Sequence, residues 1–339
     1  MAASKYPPQE NNPAARWQPQ ATWDALRLRA RLLTQIRVFF AARDVLEVDT
    51  PALSRAAVTD PQLHSFAVRY SGPGESNGQT HYLHTSPEFP MKRLLAAGSG
   101  DIYQLAKVFR DGEAGRHHNP EFTLLEWYRI GFDHRQLMEE LAALATQLLG
   151  SQLNATAEFI SYHDVFQRHL QIDPHQTTVE QLIACAEQRG VGQPPQLPQD
   201  DPDPWLHLLL SHCIEPQLGR DRLTFVYDYP ASQAALARIR PGNPPVAERF
   251  ELYLNGVELA NGFHELNDAA EQRRRFEADN ARRRGDGLAP MPIDEQLLAA
   301  LADGLPDCAG VALGFDRLLM LAAGKSSLQE IVAFPFETA

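Results

Sequence analysis

Asn255-Gly256-Val257-Glu258-Leu259-Ala260-Asn261-Gly262-Phe263-His264-Glu265-Leu266 is the stretch on which the fold turns. Asn-Gly between two apolar runs marks a type I′ turn, because both central residues there need positive φ. It predicts a hairpin between a strand over Ala247 to Leu254 and one over Val257 to Ala260. Working outward, Thr224 to Tyr229 reads as a strand before the hairpin. Gly310-Val311-Ala312-Leu313-Gly314 reads as one after it, leading into a helix from Phe315 to Ala323. Further toward the N-terminus, Phe66 to Tyr70 and His81 to Thr85 flank a Gly-rich turn, and Ile102 to Phe109 and Phe122 to Ile130 flank a polar loop. Val45 to Asp49 alternates as a short strand that Pro51 ends.

Helices fall between and after these strands. Thr22 caps one whose Leu26, Leu33, Ile36 and Phe40 form a single stripe, and Pro90 to Ala97 forms another. Asp133 caps a third, with Leu137, Leu141, Leu144 and Leu148 on one face and Gly150 at its close. A charged helix runs from Asp268 to Arg284. Hairpins and meanders with interspersed helices predict an α+β fold, a mainly antiparallel sheet flanked by helices, rather than a doubly wound parallel one. Residues 1–21 are polar and Pro-rich and read as a disordered lead. Residues 22–339 read as one domain, in which about 151–222 is a helical insertion broken by a Pro/Asp loop and carrying little chemistry.

Composition narrows the function classes. No run approaches the roughly 20 apolar residues of a membrane span, and no apolar segment of signal-peptide type opens the chain. Cys185, Cys213 and Cys308 stand far apart, as buried thiols in a reducing compartment do, so a cytoplasmic location is expected. The net charge of −12 argues against extensive nucleic-acid binding, which needs Lys/Arg-rich surface to neutralise phosphates. Neither a P-loop nor a Gly-rich Rossmann turn is present, so any ATP is held by other means.

Two regions carry candidate chemistry. Val108-Phe109-Arg110-Asp111-Gly112-Glu113, followed by Arg116-His117-His118-Asn119-Pro120-Glu121-Phe122, places arginines and a histidine in a hairpin loop. Guanidinium forks match phosphate oxygens and Phe122 offers a face for a base, so the loop suits a triphosphate; it reads equally as an ordinary charged turn. In the second region, Glu258 and Glu265 are carboxylates of the kind that hold Mg²⁺. Gly310 and Gly314 would let an adenosine lie flat on the strand, and Arg317 would meet the γ-phosphate. Each piece alone has a plain structural reading as a solvated carboxylate, a turn glycine or a surface arginine.

Taken in order, Phe-Arg with Arg-x-His-Asn-Pro-Glu-Phe, Gly-x-Glu-Leu-Ala-Asn-Gly-Phe-x-Glu-Leu, and Gly-x-Ala-Leu-Gly-x-Asp-Arg resemble motifs 2 and 3 of the class II aminoacyl-tRNA synthetases, lysyl branch. Val-Leu-Glu-Val-Asp-Thr-Pro resembles motif 1, which builds the dimer interface in that family and so implies a homodimer. The resemblance covers about 22–335 and implies that 22–339 is a class II synthetase-like catalytic domain. No anticodon-binding module is expected ahead of residue 22, and Ala312 stands where lysyl enzymes carry the middle glycine of Gly-x-Gly-x-Gly. An added methyl in a tight pocket discriminates by ~1–3 kcal/mol. Both features are similar to the short lysyl-tRNA synthetase paralogues that ligate β-lysine to elongation factor P.

That resemblance implies two steps. A lysine-like carboxylate, (R)-β-lysine in that family, attacks the α-phosphate of ATP, and a lysine ε-amine of elongation factor P then takes the acyl group. It implies that Arg110 and Arg317 are catalytic, and that Arg110, Asp111, Gly112, His118, Asn119, Phe122, Glu258, Leu259, Gly314 and Arg317 bind ATP. Ser86, Pro87, Glu88, Tyr128, Glu265 and Ala312 would bind the substrate, and Glu258 with Glu265 would serve Mg²⁺. One departure stands out: the family's Phe-Arg-x-Glu has Gly112 in the glutamate's place, so Glu113 or loop backbone would have to read the adenine. The alternatives are a lysyl-tRNA ligase lacking the anticodon-binding domain and a synthetase-like regulator that catalyses nothing.

Overall fold

The computed structural model describes residues 17–73, 78–192, 194 and 197–339. Asn255 and Gly256 take φ of 51° and 74°, as a type I′ turn requires, and join the strands Val246–Leu254 and Val257–His264. The second strand continues four residues past the predicted Ala260. Asn261, Gly262 and Phe263 find partners in Ala312, Val311 and Gly310 of the neighbouring strand Cys308–Gly314. On its other side Cys308–Gly314 pairs with Glu121–Ile130, which pairs with Ile102–Phe109. Val246–Leu254 pairs with Thr224–Pro230. These six strands are antiparallel throughout; only the short rim strands, Leu46–Glu47 and Glu158–Ser161, join in parallel. The α+β expectation holds.

Alternation along the hairpin sets the two faces of the sheet. Phe250, Leu252 and Leu254 turn to the back, where they pack with Leu259, Val311 and Leu313. The helices Trp23–Ala41, His134–Leu149 and Phe315–Ala322 cover that face, burying Ile36, Phe40, Leu141, Leu144 and Leu319. In the first helix the buried stripe is Ala25, Leu32, Ile36, Phe39 and Phe40, while Leu26 and Leu33 lie at its edge. Thr22 accepts from the Ala25 N–H, and Asp133 and Gln136 form a reciprocal capping box. Gln20 donates its N–H to Ala333 and Ala21 is buried, so the chain is already packed here; 1–16 of the expected lead lie outside the described residues.

The front face is open and framed by smaller units. A three-stranded sheet of Leu53–Ser54, Gln79–Leu83 and Ala67–Tyr70 stands at one side. The helices Glu88–Ala96, Ala269–Gly285 and Glu295–Gly304 pack together through Met91, Leu95, Phe276, Leu298 and Leu301. The last of these was missed in the sequence, although Asp294 caps it and Leu297, Leu298 and Leu301 carry its period. The region 151–222 holds the helices Tyr162–Leu170, Val179–Gln188 and Asp203–Leu209 around Phe166, Leu182 and Trp205. It also holds the rim strand Glu158–Ser161, and its Asp203 and His207 reach the edge of the front cleft. Among the described residues no helix is long and apolar enough to cross a membrane.

Replacing Asp133 by Ala removes one half of the capping box, and a loss of about 1 kcal/mol in unfolding free energy is expected from denaturant titration.

Candidate active site

The front of the sheet forms the floor of a cleft of about 1790 Å³. At one end Arg317, in the first turn of the helix Phe315–Ala322, is fixed by three acceptors. Its Nε donates to the His117 carbonyl at 3.1 Å, Nη1 to the Glu258 carbonyl at 2.9 Å and Nη2 to His118 Nε2 at 2.7 Å. His118 accepts that bond only as the neutral imidazole; burial and the adjacent guanidinium both push its pKa down. Arg110 leaves the end of its strand and lies over the Phe122 ring at 5.1 Å, with Glu113 at 3.8 Å. Its Nε is buried and has no hydrogen-bond partner among the described residues. Burial lowers the Arg110 pKa against the pull of Glu113 and Glu258, so a guanidinium with spare donors faces the cleft.

Glu258 stands opposite these arginines, half-buried and 3.5 Å from Arg317. Across the hairpin Glu251 is held by the hydroxyls of Tyr229 and Tyr253 and by Arg249. Glu215 lies beside Tyr253. Enclosure and the Glu251 charge push the Glu258 carboxyl up against the pull of Arg317 and Arg110, and enclosure followed by Glu251 and Glu258 brings Glu215 up to about 7. This end therefore has both cations for phosphate oxygens and a surplus of carboxylate facing them.

The other end is a buried acidic pocket. Glu126, on the strand Glu121–Ile130, accepts from Ser86 Oγ at 2.6 Å and from the Tyr128 hydroxyl at 2.7 Å. Lys92, one turn into the helix Glu88–Ala96, places its ammonium 2.6 Å from Glu88 and 2.6 Å from Glu265. Two carboxylates thus hold one ammonium, and Glu126 feels the charge of both. Burial, reinforced by Glu88, pushes Glu126 up to about 8; burial outweighs Lys92 and brings Glu265 up to about 7. Burial pulls the Lys92 pKa down, but Glu265 and Glu88 more than reverse it and the net shift is upward. Gly310 makes room for this pocket. A Cβ there would come within 2.3 Å of the Tyr128 ring and 2.5 Å of Glu265 Oε1.

Residues 11–338 match the family described as tRNA synthetases class II (D, K and N). The chain is 54% identical to a protein of Vibrio vulnificus named elongation factor P–(R)-β-lysine ligase, over 96% of this chain and 99% of that one. Proteins of the same name from Vibrio cholerae (54%, over 95% and 98%) and Pectobacterium atrosepticum (52%, over 95% and 98%) are similar at nearly full length. The chain belongs to the class II tRNA synthetase family. It is an ATP-using ligase of that type; the segments resembling motifs 2 and 3 fall on the central strands of the sheet, and the one resembling motif 1 on its rim strand Leu46–Glu47.

Several expected site residues of this class II site line one cleft: Ser86, Glu88, Arg110, His118, Asn119, Phe122, Glu258, Leu259, Ala312, Gly314 and Arg317. Tyr128 and Glu265 lie beneath its floor, each almost fully buried. Pro87 sits at the start of the helix Glu88–Ala96 rather than on the cleft wall. Asp111 and Gly112 are exposed on the loop, and Glu113 faces the cleft in their place. Asn119 is committed to the backbone, donating to the Glu121 carbonyl and accepting from the Phe336 N–H.

Two expectations are corrected. Glu265 does not share a metal position with Glu258: seven residues of extended chain separate them, roughly 23 Å, and Glu265 is bound to Lys92 in the amine-type pocket. Gly310 serves Tyr128 and Glu265 rather than a nucleotide. Lys92, Glu126 and Glu251 were missed. The signals were Lys92 four residues after Glu88 on one helix face, and Glu126 two residues before Tyr128 on one strand face. A separate cluster of His134, Glu248 and His264 has ligand atoms within 4.8 Å of one another. There Arg240 bridges Glu248 and Asp228, so a cation is already in place.

The acidic pocket sets a pH dependence. Glu126 has a folded-state pKa of about 8, above its unfolded value, so the native state binds the extra proton and stability falls as pH rises toward 8. Glu126→Gln should flatten the melting-temperature profile of the ligand-free protein between pH 6 and 9. An unchanged slope would show that this carboxyl is not the group responsible.

Proposed function

We propose that the chain activates (R)-β-lysine with ATP and transfers it to a lysine ε-amine of elongation factor P. The observation that carries this reading is a cleft with two guanidiniums at one end and a buried polyacidic pocket at the other. It is supported by near-full-length identity to proteins bearing that name. A lysine-type substrate has one carboxylate and two ammonium groups, and only one orientation suits such a cleft. Its ammoniums enter among Glu88, Glu126 and Glu265, and its carboxylate points toward Arg110.

In the first step a carboxylate oxygen attacks the α-phosphorus, the bond to the β-phosphate oxygen breaks, and pyrophosphate leaves. Arg110 holds the attacking carboxylate beside the α-phosphate, and Arg317, braced by three acceptors, receives the far end of the triphosphate. Phe122, already stacked under Arg110, offers its outer face to the base. In the second step the partner's ε-amine attacks the acyl carbon, loses a proton, and AMP leaves. Glu258, repelled by Glu251 and facing the phosphate arginines, is the group that would hold Mg²⁺, with Glu251 behind it. When bound, the ion adds charge neutralisation on the phosphates.

The helix Trp23–Ala41 and the rim strand leave Trp23, Val38 and Leu46 exposed, and we place a homodimer contact there. The reaction belongs in the cytoplasm with the translation machinery. No tRNA is required as acceptor.

The test is ATP–pyrophosphate exchange with (R)-β-lysine and α-lysine, then acyl transfer to purified elongation factor P, with total tRNA as a parallel acceptor. Exchange dependent on β-lysine and label on the protein are expected; label on tRNA instead would overturn the proposal. Arg317→Ala should lose at least about 100-fold in exchange rate with an unaltered circular dichroism spectrum.

A further inference from the structure

Lys92 is 2% exposed and lies between two carboxylates at 2.6 Å each, in the floor of the pocket assigned above to the substrate's amines. A buried ammonium is an unexpected neighbour for a site that must attract ammonium groups, since by charge alone it would repel them. Its placement resolves the difficulty. Glu88 comes from the helix and Glu265 from beyond the end of the strand Val257–His264, and neither accepts a hydrogen bond from another described side chain. Glu126 is held differently, by two neutral hydroxyls. Without that cation Glu265 would lose the charge that offsets its burial and would take up a proton more readily, and a protonated carboxyl does not attract an ammonium.

We propose that Lys92 is a positioning residue that sets the charge of the substrate pocket: its ammonium fixes Glu88 and Glu265 in place and its charge favours the ionised carboxylate at Glu265, so that the pocket presents carboxylate to a substrate's ammonium groups. This deepens the reading given under the proposed function and rests on it. Lys92 touches neither ATP nor the reacting carboxylate in that arrangement; it acts through Glu88 and Glu265. Glu265 and Glu88 also keep that ammonium protonated against its burial, and therefore without a lone pair to intercept the acyl-adenylate.

The experiment measures KM for (R)-β-lysine, KM for ATP and kcat by pyrophosphate exchange from pH 6.5 to 9 in the wild type, Lys92→Met and Lys92→Arg. Absence of β-lysine-dependent exchange in the wild type defeats the proposed function itself, before Lys92 is in question. Given wild-type activity, Lys92→Met should raise the KM for β-lysine roughly 30-fold or more near pH 7. The KM for ATP should stay within about twofold of wild type, a split expected when only the amine pocket changes. The β-lysine defect should shrink toward pH 9, where Glu265 ionises with less help from a neighbouring cation. Lys92→Arg, which keeps the cation, should retain the wild-type pH profile. A KM rise that is the same at every pH, a fall in kcat alone, or equal defects in the two variants would each overturn the proposal.

Should Lys92→Met fail to fold, the wild type still decides. The chain has only Lys5, Lys92, Lys107 and Lys325, so the Lys92 ammonium can be followed by nitrogen-15 resonance in lysine-labelled protein. Adding β-lysine should shift that resonance, and adding ATP alone should not. No shift with β-lysine would sink the assignment.

Discussion

The period-two alternation along Val246–His264 is the constraint from which the site follows. Once Asn255 and Gly256 reverse the chain, every second residue of the hairpin is committed to the apolar back and the others to the front. The back half supplies Phe250, Leu252 and Leu254 to the largest core cluster, and that burial makes a one-residue slip prohibitively unfavourable. The same register therefore fixes Arg249, Glu251 and Glu258 on the front. The irregularity between Leu252 and Tyr253 sets Glu258 opposite Tyr253. Catalytic geometry is inherited from core packing.

Neighbouring strands complete the floor by the same rule. Cys308–Gly314 lies between the hairpin and Glu121–Ile130, bringing Gly310 opposite Tyr128, Ala312 opposite Glu126 and Gly314 opposite Leu124. Small residues on the central strand thus face large polar ones on the next, and the depth of the pocket comes from that pairing. Ala312 puts a methyl group beside Glu126, on the floor where an amine would lie. A change of one methyl at such a position alters which amine placement fits, at ~1–3 kcal/mol. Asp316, which caps the strand's far end, pairs with Arg29 and accepts from the Thr123 N–H, tying the floor to the first helix behind it.

Much of this was legible in the residues, and the failures have definite causes. The Asn-Gly turn, the Asp133 cap and the strand Ile102–Phe109 depend on local chemistry and were read at their observed places. Glu158–Ser161 was not, because a four-residue strand earns its state from a parallel partner more than sixty residues on. The acid pairing shows the limit most clearly. Glu251 and Glu265 both stand seven positions from Glu258 (258 − 251 and 265 − 258). Only the hairpin decides between them: it folds Glu251 back alongside Glu258 and carries Glu265 away. Lys92 and Glu126 were hidden for a related reason, since both lie inside elements whose neighbours are apolar, Met91 and Leu95 for one, Leu125 and Trp127 for the other.

The cleft divides its charge along its length, with arginines at one end and carboxylates at the other. Arg110 is the hinge of the division. It feels Glu113 and Glu258 on the phosphate side and Glu126 on the amine side, so its charge is shared by both ends. A substrate whose ammoniums lie among Glu88, Glu126 and Glu265 has its carboxylate directed to that same guanidinium, next to the group it must attack. A substrate bearing ammonium groups would also supply the counter-charge that offsets the burial, and the added Glu88 charge, that raise Glu126 and Glu265 in the free protein. Under the proposed function, recognition of the amines and placement of the carboxylate would be one event, driven by the same unequal distribution of charge.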